Sequence, residues 1–156
     1  MEVHVRIARL TDIDAAASLL VTGADAGAER RERADRLRTL LFVPAATVLV
    51  AEAAGRMVGV GVLSIRPSIA PGPFIGVIDA VATVADAGGS GSAARGAGTS
   101  ARSAIAGSIL EQLVISARNK GCARVDVADP LAASRRPLFA RAGFERQGAL
   151  LSRAIG

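Results

Sequence analysis

Apolar positions along the chain switch between a two-residue and a roughly 3.6-residue period, and the switches mark its elements. In "VHVRIARL" (3–10), Val3, Val5 and Ile7 alternate with His4 and Arg6, which predicts a strand covered on one face. "TDIDAAASLL" predicts a helix capped by Thr11 or Asp12, and residues 28–42 predict another, with Ala34, Leu37, Leu40 and Leu41 along one face. Two β-rich runs on either side of "AAGR" make 47–65 a hairpin. A Pro-rich loop (66–73) precedes a strand over 74–84, "FIGVIDAVATV". Residues 85–101 are small and Gly-rich and predict a loop. A helix from about 103 to 120 follows, with Ile109, Leu110, Leu113, Val114 and Ala117 buried and Gly121 as its stop. The pattern closes with a strand over 122–129, a helix from Pro130 to about Ala142 ended by Gly143, and one or two strands in "FERQGALLSRAI".

Composition narrows the chemistry. The chain has 156 residues, enough for one domain over 1–156 with a real core. Aromatics are four Phe, with no Tyr and no Trp, so the core is aliphatic and no phenol is available as an acid. The net charge is +5 and all basic residues but Lys120 are arginine, a balance that favours anionic ligands. In 28–42, Glu29 with Arg33 and Glu32 with Arg36 make favourable pairs four residues apart, and the charges are not interleaved with aromatics, which argues for a solvated face and against nucleic acid. One cysteine and one histidine argue against a disulfide and a Cys- or His-based metal site. The N-terminus lacks a signal-peptide core and no apolar run reaches about 18 residues, so a soluble cytoplasmic protein is expected.

Two motifs on this element order carry a resemblance. "RSAIAGSIL" (102–110) and "LFARAGF" (138–144), joined to the succession of strands and helices, resemble the GCN5-related N-acetyltransferase (GNAT) family across Val3–Ile155. The resemblance implies a mixed α/β fold: a mixed, V-shaped central sheet of six to seven strands flanked by about four helices. It implies acetyl-CoA as cosubstrate, with a small-molecule or peptide amine as acceptor, and it allows a homodimer. The family's pyrophosphate turn, R/Q-x-x-G-x-G/A, opens the third helix. Arg102, Ser103, Ala104, Ile105, Ala106 and Gly107 match it, and Ser108 follows. Unpaired N–H groups at a helix start suit a phosphate, and small residues allow its approach. Ile105 stands where the family has Gly. A second alignment, "RGAGTS" (95–100), keeps both glycines but requires a helix of about 22 residues against a mean of about 11–12. The 102–107 alignment leaves a helix of ordinary length and is preferred.

The resemblance also implies that backbone N–H groups at Ala82, Thr83 and Val84 would polarise the thioester. The family's Tyr, which often protonates the departing thiolate, is Phe139 here, and its frequent Asn is Ala132. Among acids, Asp79 is the leading base, being the one charge inside an apolar run; a carboxylate in apolar surroundings holds its proton more tightly, which suits a base. A paired or solvent-facing Asp79 is the competing reading. Glu52 is a weaker candidate, His4 an exposed strand residue and Cys122 a buried thiol. An N-acetyltransferase is thus expected, with an inactive CoA-binding or protein-interaction module of the same fold as the alternative.

Overall fold

A computed structural model describes residues 2–84, 97–148 and 151–155, without the side chains of 97–100. Five strands form one sheet in the order β1 (His4–Ile7), β2 (Ala46–Ala53), β3 (Arg56–Pro67), β4 (Phe74–Thr83), β5 (Cys122–Val127). Neighbours are antiparallel up to β4, and β4 with β5 is parallel. The connection from β2 to β3 is a tight turn in which Ala54 and Gly55 both have positive φ, the twist that matches a hairpin to its strands.

Strand periodicity sends alternate residues to opposite faces. Val48, Val50, Val60 and Val62 are buried with Ile13, Ala16, Ala17, Ala34 and Leu37, from α1 (Ile13–Leu19) and α2 (Ala26–Leu40). Leu49, Leu63, Ile78 and Val81 are buried on the other face with Ile105, Ile109, Leu110, Leu113 and Ala117 of α3 (Ala97–Asn119). The stripe of apolar residues expected on this helix is the one buried. Gly121, with φ +86°, ends it in a conformation other residues avoid.

Four expectations are corrected. The helix expected at about 103 begins at Ala97 and has 23 residues. Its small residues read as a loop, but no proline interrupts 97–119. A helix nucleated on the buried stripe extends upstream through Ala and Ser at little cost. The remaining loop residues, 85–96, lie outside the described residues. Second, the helix expected over 130–142 is two short ones, α4 (Leu131–Ser134) and α5 (Arg136–Arg141), broken at Arg135 with φ −134°. Pro137 lacks an N–H and its ring crowds the preceding turn. With these, the described residues hold five α-helices, not about four. Third, the sheet has five strands among the described residues, not six or seven. Phe144–Gly148 and Leu151–Ile155 form no ladder, and Leu151 and Ile155 are 94% and 89% exposed, so neither pairing nor burial holds that segment extended. Fourth, Asp12 does not cap α1 with its side chain; it binds Arg6 and the Arg9 N–H instead. Among the described residues no helix is long and apolar enough to cross a membrane.

β3 meets α3 through glycine. Gly59 and Gly61 alternate with Val60 and Val62, so the glycines face α3 and the valines face α1 and α2. A Cβ on Gly61 would collide with Ile109 and lie 3.0 Å from Leu113 Cδ1, whereas a Cβ on Gly107, inside α3, meets nothing within 4 Å. Two substitutions should therefore move stability in opposite directions. Gly61→Val is expected to cost about 1–3 kcal/mol through overpacking, and Gly107→Ala to add about 0.5–1 kcal/mol through helix propensity. Urea denaturation of the two variants checks both signs.

Candidate functional site

The parallel pairing of β4 with β5 is short. Its register runs from Phe74 opposite Cys122 to Ile78 opposite Val127 and stops there, while β4 continues to Thr83 alongside β3. Beyond Ile78, among the described residues, no strand pairs with β4 on that side, and the sheet opens between it and the chain that follows β5. At the mouth of this opening β4 carries a bulge. Val62 pairs with Ala80 and Leu63 with Ile78, which leaves Asp79 as the inserted residue. A bulge turns side chains and frees backbone groups at a sheet opening.

α3 is aligned antiparallel to β4. A Cβ on Gly76 would lie 3.3 Å from Ala117 Cβ, and one on Gly59, which pairs with Thr83, 3.1 Å from Ile105 Cγ2. The N-terminal part of α3 thus lies toward the end of β4 where the sheet opens. An α-helix leaves its first four N–H groups without intrahelical partners. Here these belong to Ala97–Ser100, the first turn of a helix whose 23 residues match the length that the 95–100 alignment requires. Residues 102–107 lie further in, where N–H groups bond to carbonyls one turn back. Ile105 and Ala106 are buried against the sheet, at 6% and 0% exposure. Ile105 stands in the motif as a core residue. Arg102 stays near the helix start, half-buried, and its Nε is buried with no hydrogen-bond partner among the described residues. Ser103 and Ser108 are half-buried and Ala104 exposed.

The other expected residues fall as follows. Ala82 and Thr83 are buried on β4 beyond its pairing with β5, and Val84 is exposed. Asp79 is exposed and accepts a hydrogen bond from Ser64 Oγ on β3. Phe139 is 4% exposed and meets Phe144 edge to face, centroids 5.3 Å apart, so the ring is core and brings no hydroxyl to the opening. Burial pushes the Cys122 thiol up, away from thiolate reactivity. Among the described residues no group of three His, Cys, Asp or Glu is placed to hold a metal.

Glu52 belongs to a different construction, which the sequence reading missed. Arg6 on β1 grips Asp12 with both terminal nitrogens, at 2.7 and 3.0 Å, and reaches Glu52 on β2 at 2.6 Å; Asp12 also accepts from Arg9 N at 2.7 Å. Arg6 and Glu52 come together because β1 and β2 pair with Arg6 opposite Val50, two residues from Glu52. No local sequence pattern announces a contact 46 residues apart.

Neither family models nor characterised protein sequences match the chain. Solved structures match its fold. A transcriptional regulator from Bacillus halodurans C-125 superposes with a TM-score of 0.73 at 17% identity, over 99% of this chain and 100% of that one. A ribosomal-protein-alanine N-acetyltransferase from Brucella melitensis biovar Abortus 2308 does so with 0.68 at 21% identity, over 99% and 100%. A predicted acetyltransferase from Clostridium acetobutylicum, solved with acetyl-CoA, gives 0.68 at 17% identity, over 98% and 96%. The chain has the fold of these acetyltransferases, the fold that its motifs resemble.

The ion cluster carries a pH dependence. Hydrogen bonds from Arg6 hold the carboxyls of Asp12 and Glu52 below the usual carboxylate range. Their stabilisation is complete above the unfolded carboxylate values near pH ~4 and is lost as pH falls through the lower folded ones. Arg6→Met should lower stability at neutral pH by about 1.5–3 kcal/mol and flatten the fall in stability on acidification below pH ~4. Denaturation at a series of pH values measures both.

Proposed function

We propose that this chain is an acetyl-CoA-dependent N-acetyltransferase acting on a primary amine of a small molecule or peptide. The observation that carries the reading is the opening beside β4 after Ile78, with the first turn of a long helix toward its end. The residues present fit the cosubstrate. The first-turn N–H groups of Ala97–Ser100 suit a pyrophosphate, and the Nε of Arg102, buried without a partner among the described residues, suits a phosphate oxygen nearby. Ser103, Ala104 and Ser108 flank that end, whereas Ile105, Ala106 and Gly107 serve by packing and helix continuity. Acetyl-CoA supplies an activated acyl group, a thioester. On the protein side, the backbone N–H groups of Ala82, Thr83 and Val84, at the end of β4 where its pairing with β5 has stopped, would polarise its carbonyl.

Asp79 is the proposed base. It stands at the mouth of the opening, turned by the bulge, and can take a proton from the acceptor ammonium directly or through water. Its exposure suits an acceptor that arrives from solvent. No side-chain hydroxyl stands at position 139, so the leaving thiolate would take its proton from water. That same observation favours a second reading, a CoA-binding or protein-interaction module without turnover.

Titration calorimetry with acetyl-CoA and CoA, followed by thiol release over a panel of amines, separates the readings. Binding with turnover supports the enzyme. Binding without turnover supports the module, and no binding of either at millimolar concentration removes the CoA reading. In an active enzyme, Asp79→Asn should lower turnover at neutral pH by ~10²-fold and leave acetyl-CoA affinity unchanged. Raising the pH should recover part of the loss, because more acceptor is then already neutral. A folded variant with unchanged turnover would remove Asp79 from the mechanism.

A further inference from the structure

At the edge of the sheet opposite β5, the start of β2 has no strand beside it among the described residues. β1 ends at Ile7, opposite Leu49, and after one more bond, from Ala8 N to Val48 O at 2.9 Å, the chain turns away. The gap is a groove of about 560 Å³. It is bounded by the first residues of β2, by Leu40–Phe42 at the end of α2, and by the last turns of α3. Its volume falls within the roughly 300–1,000 Å³ of small-molecule sites. Ile7, Leu10 and Phe42 line it and are 70%, 58% and 71% exposed, a cluster of apolar side chains left open to solvent.

One end of the groove is polar and positive. Lys120 Nζ donates to Thr47 Oγ1 at 2.9 Å and to the Pro44 carbonyl at 3.3 Å, and Thr47 Oγ1 lies 3.4 Å from Ser116 Oγ. An ammonium has three donors, so these bonds orient Lys120 and leave one N–H. Both acceptors are neutral, and no Asp or Glu lines the groove. Among the described residues Lys120 forms no ion pair; of the two arginines that also line the groove, Arg6 is neutralised by Asp12 and Glu52, and Arg9 is exposed with no ion pair and no side-chain bond to hold it over the groove. An apolar trough with a held, uncompensated cation at one end fits a ligand with an apolar body and a single negative head.

We propose that this groove is a second ligand site, separate from the opening beside β4, for a small amphipathic monocarboxylate. Its carboxylate takes the remaining N–H of Lys120, and its short alkyl chain covers Ile7, Leu10 and Phe42. The inference does not depend on the acetyltransferase reading.

Octanoate, kept below its micelle concentration, is the probe, with octan-1-ol and octylamine as controls. Calorimetry and amide chemical shifts should show saturable binding of one octanoate per chain, centred on Thr47, Lys120 and Phe42. Lys120→Met should weaken it by about tenfold or more, the loss of a charge-assisted contact. Lys120→Arg should retain most of it, and thermal melts of both variants verify folding. Absence of saturation, equal affinity for octan-1-ol, or unchanged affinity in folded Lys120→Met would overturn the proposal. So would sedimentation that finds a dimer dissolved by Phe42→Ser and indifferent to octanoate, because a second copy would then be the occupant.

Discussion

The close approach of α3 to β3 governs this molecule. Two glycines at alternate positions of the strand remove the side chains that would hold the helix off, and Ile109 and Leu113 enter the space they leave. Burying those side chains is the kind of contribution that dominates folding, about 1.5–3 kcal/mol for each fully buried aliphatic residue. The same contact fixes the helix along the sheet. With Ala117 beside Gly76 and Ile105 beside Gly59, the start of α3 is carried toward the open end of β4. Packing on the buried face thus determines where the free N–H groups of the helix stand.

The opening itself follows from strand pairing. β5 accompanies β4 only from Phe74 to Ile78, and the bulge at Asp79 coincides with the end of that pairing. Openings at strand ends are where α/β folds place their ligands. The opposite edge of the sheet is treated differently. There the Arg6 cluster ties β1, the turn before α1 and β2 together, so that a strand of four residues is held by charge as well as by its ladder. Where β1 ends, no such cluster continues, and the groove beside Lys120 is what remains.

The aliphatic composition has a consequence for both regions. Without Tyr or Trp the chain has no aromatic side chain that is apolar at one end and polar at the other. Polar functions therefore fall on backbone groups, arginine and short hydroxyls: Ser64 with Asp79, Thr47 and Ser116 with Lys120. Phe139 and Phe144, where the resembled motif has an aromatic and a Phe, pack on each other in the core.

Local pattern alone determined most of the elements. Alternation in 3–10, the β-rich runs of 47–65 and 74–84 and the stripe from Ile109 to Ala117 are local signals, because burial leaves its mark in the residues of each segment. The glycine at 121 was equally legible, because a positive φ demands it. Tertiary structure decided the rest. The length of α3 could not be read, since Ala and Ser before Arg102 are compatible with loop or helix until a packed stripe downstream propagates the helix upstream. That difference shifted the free N–H groups from about residue 103 to Ala97–Ser100 and turned Ile105 from an anomaly into a core side chain. The last residues, expected as one or two strands, find no strand to pair with among the described residues. Asp79 was visible as a charge in an apolar run, but its place on a bulge, exposed and beside Ser64, depends on how β3 pairs with β4. Periodicity is a property of one segment facing one core, whereas register, helix reach and the Arg6 cluster are properties of two segments meeting, which no single stretch of residues contains.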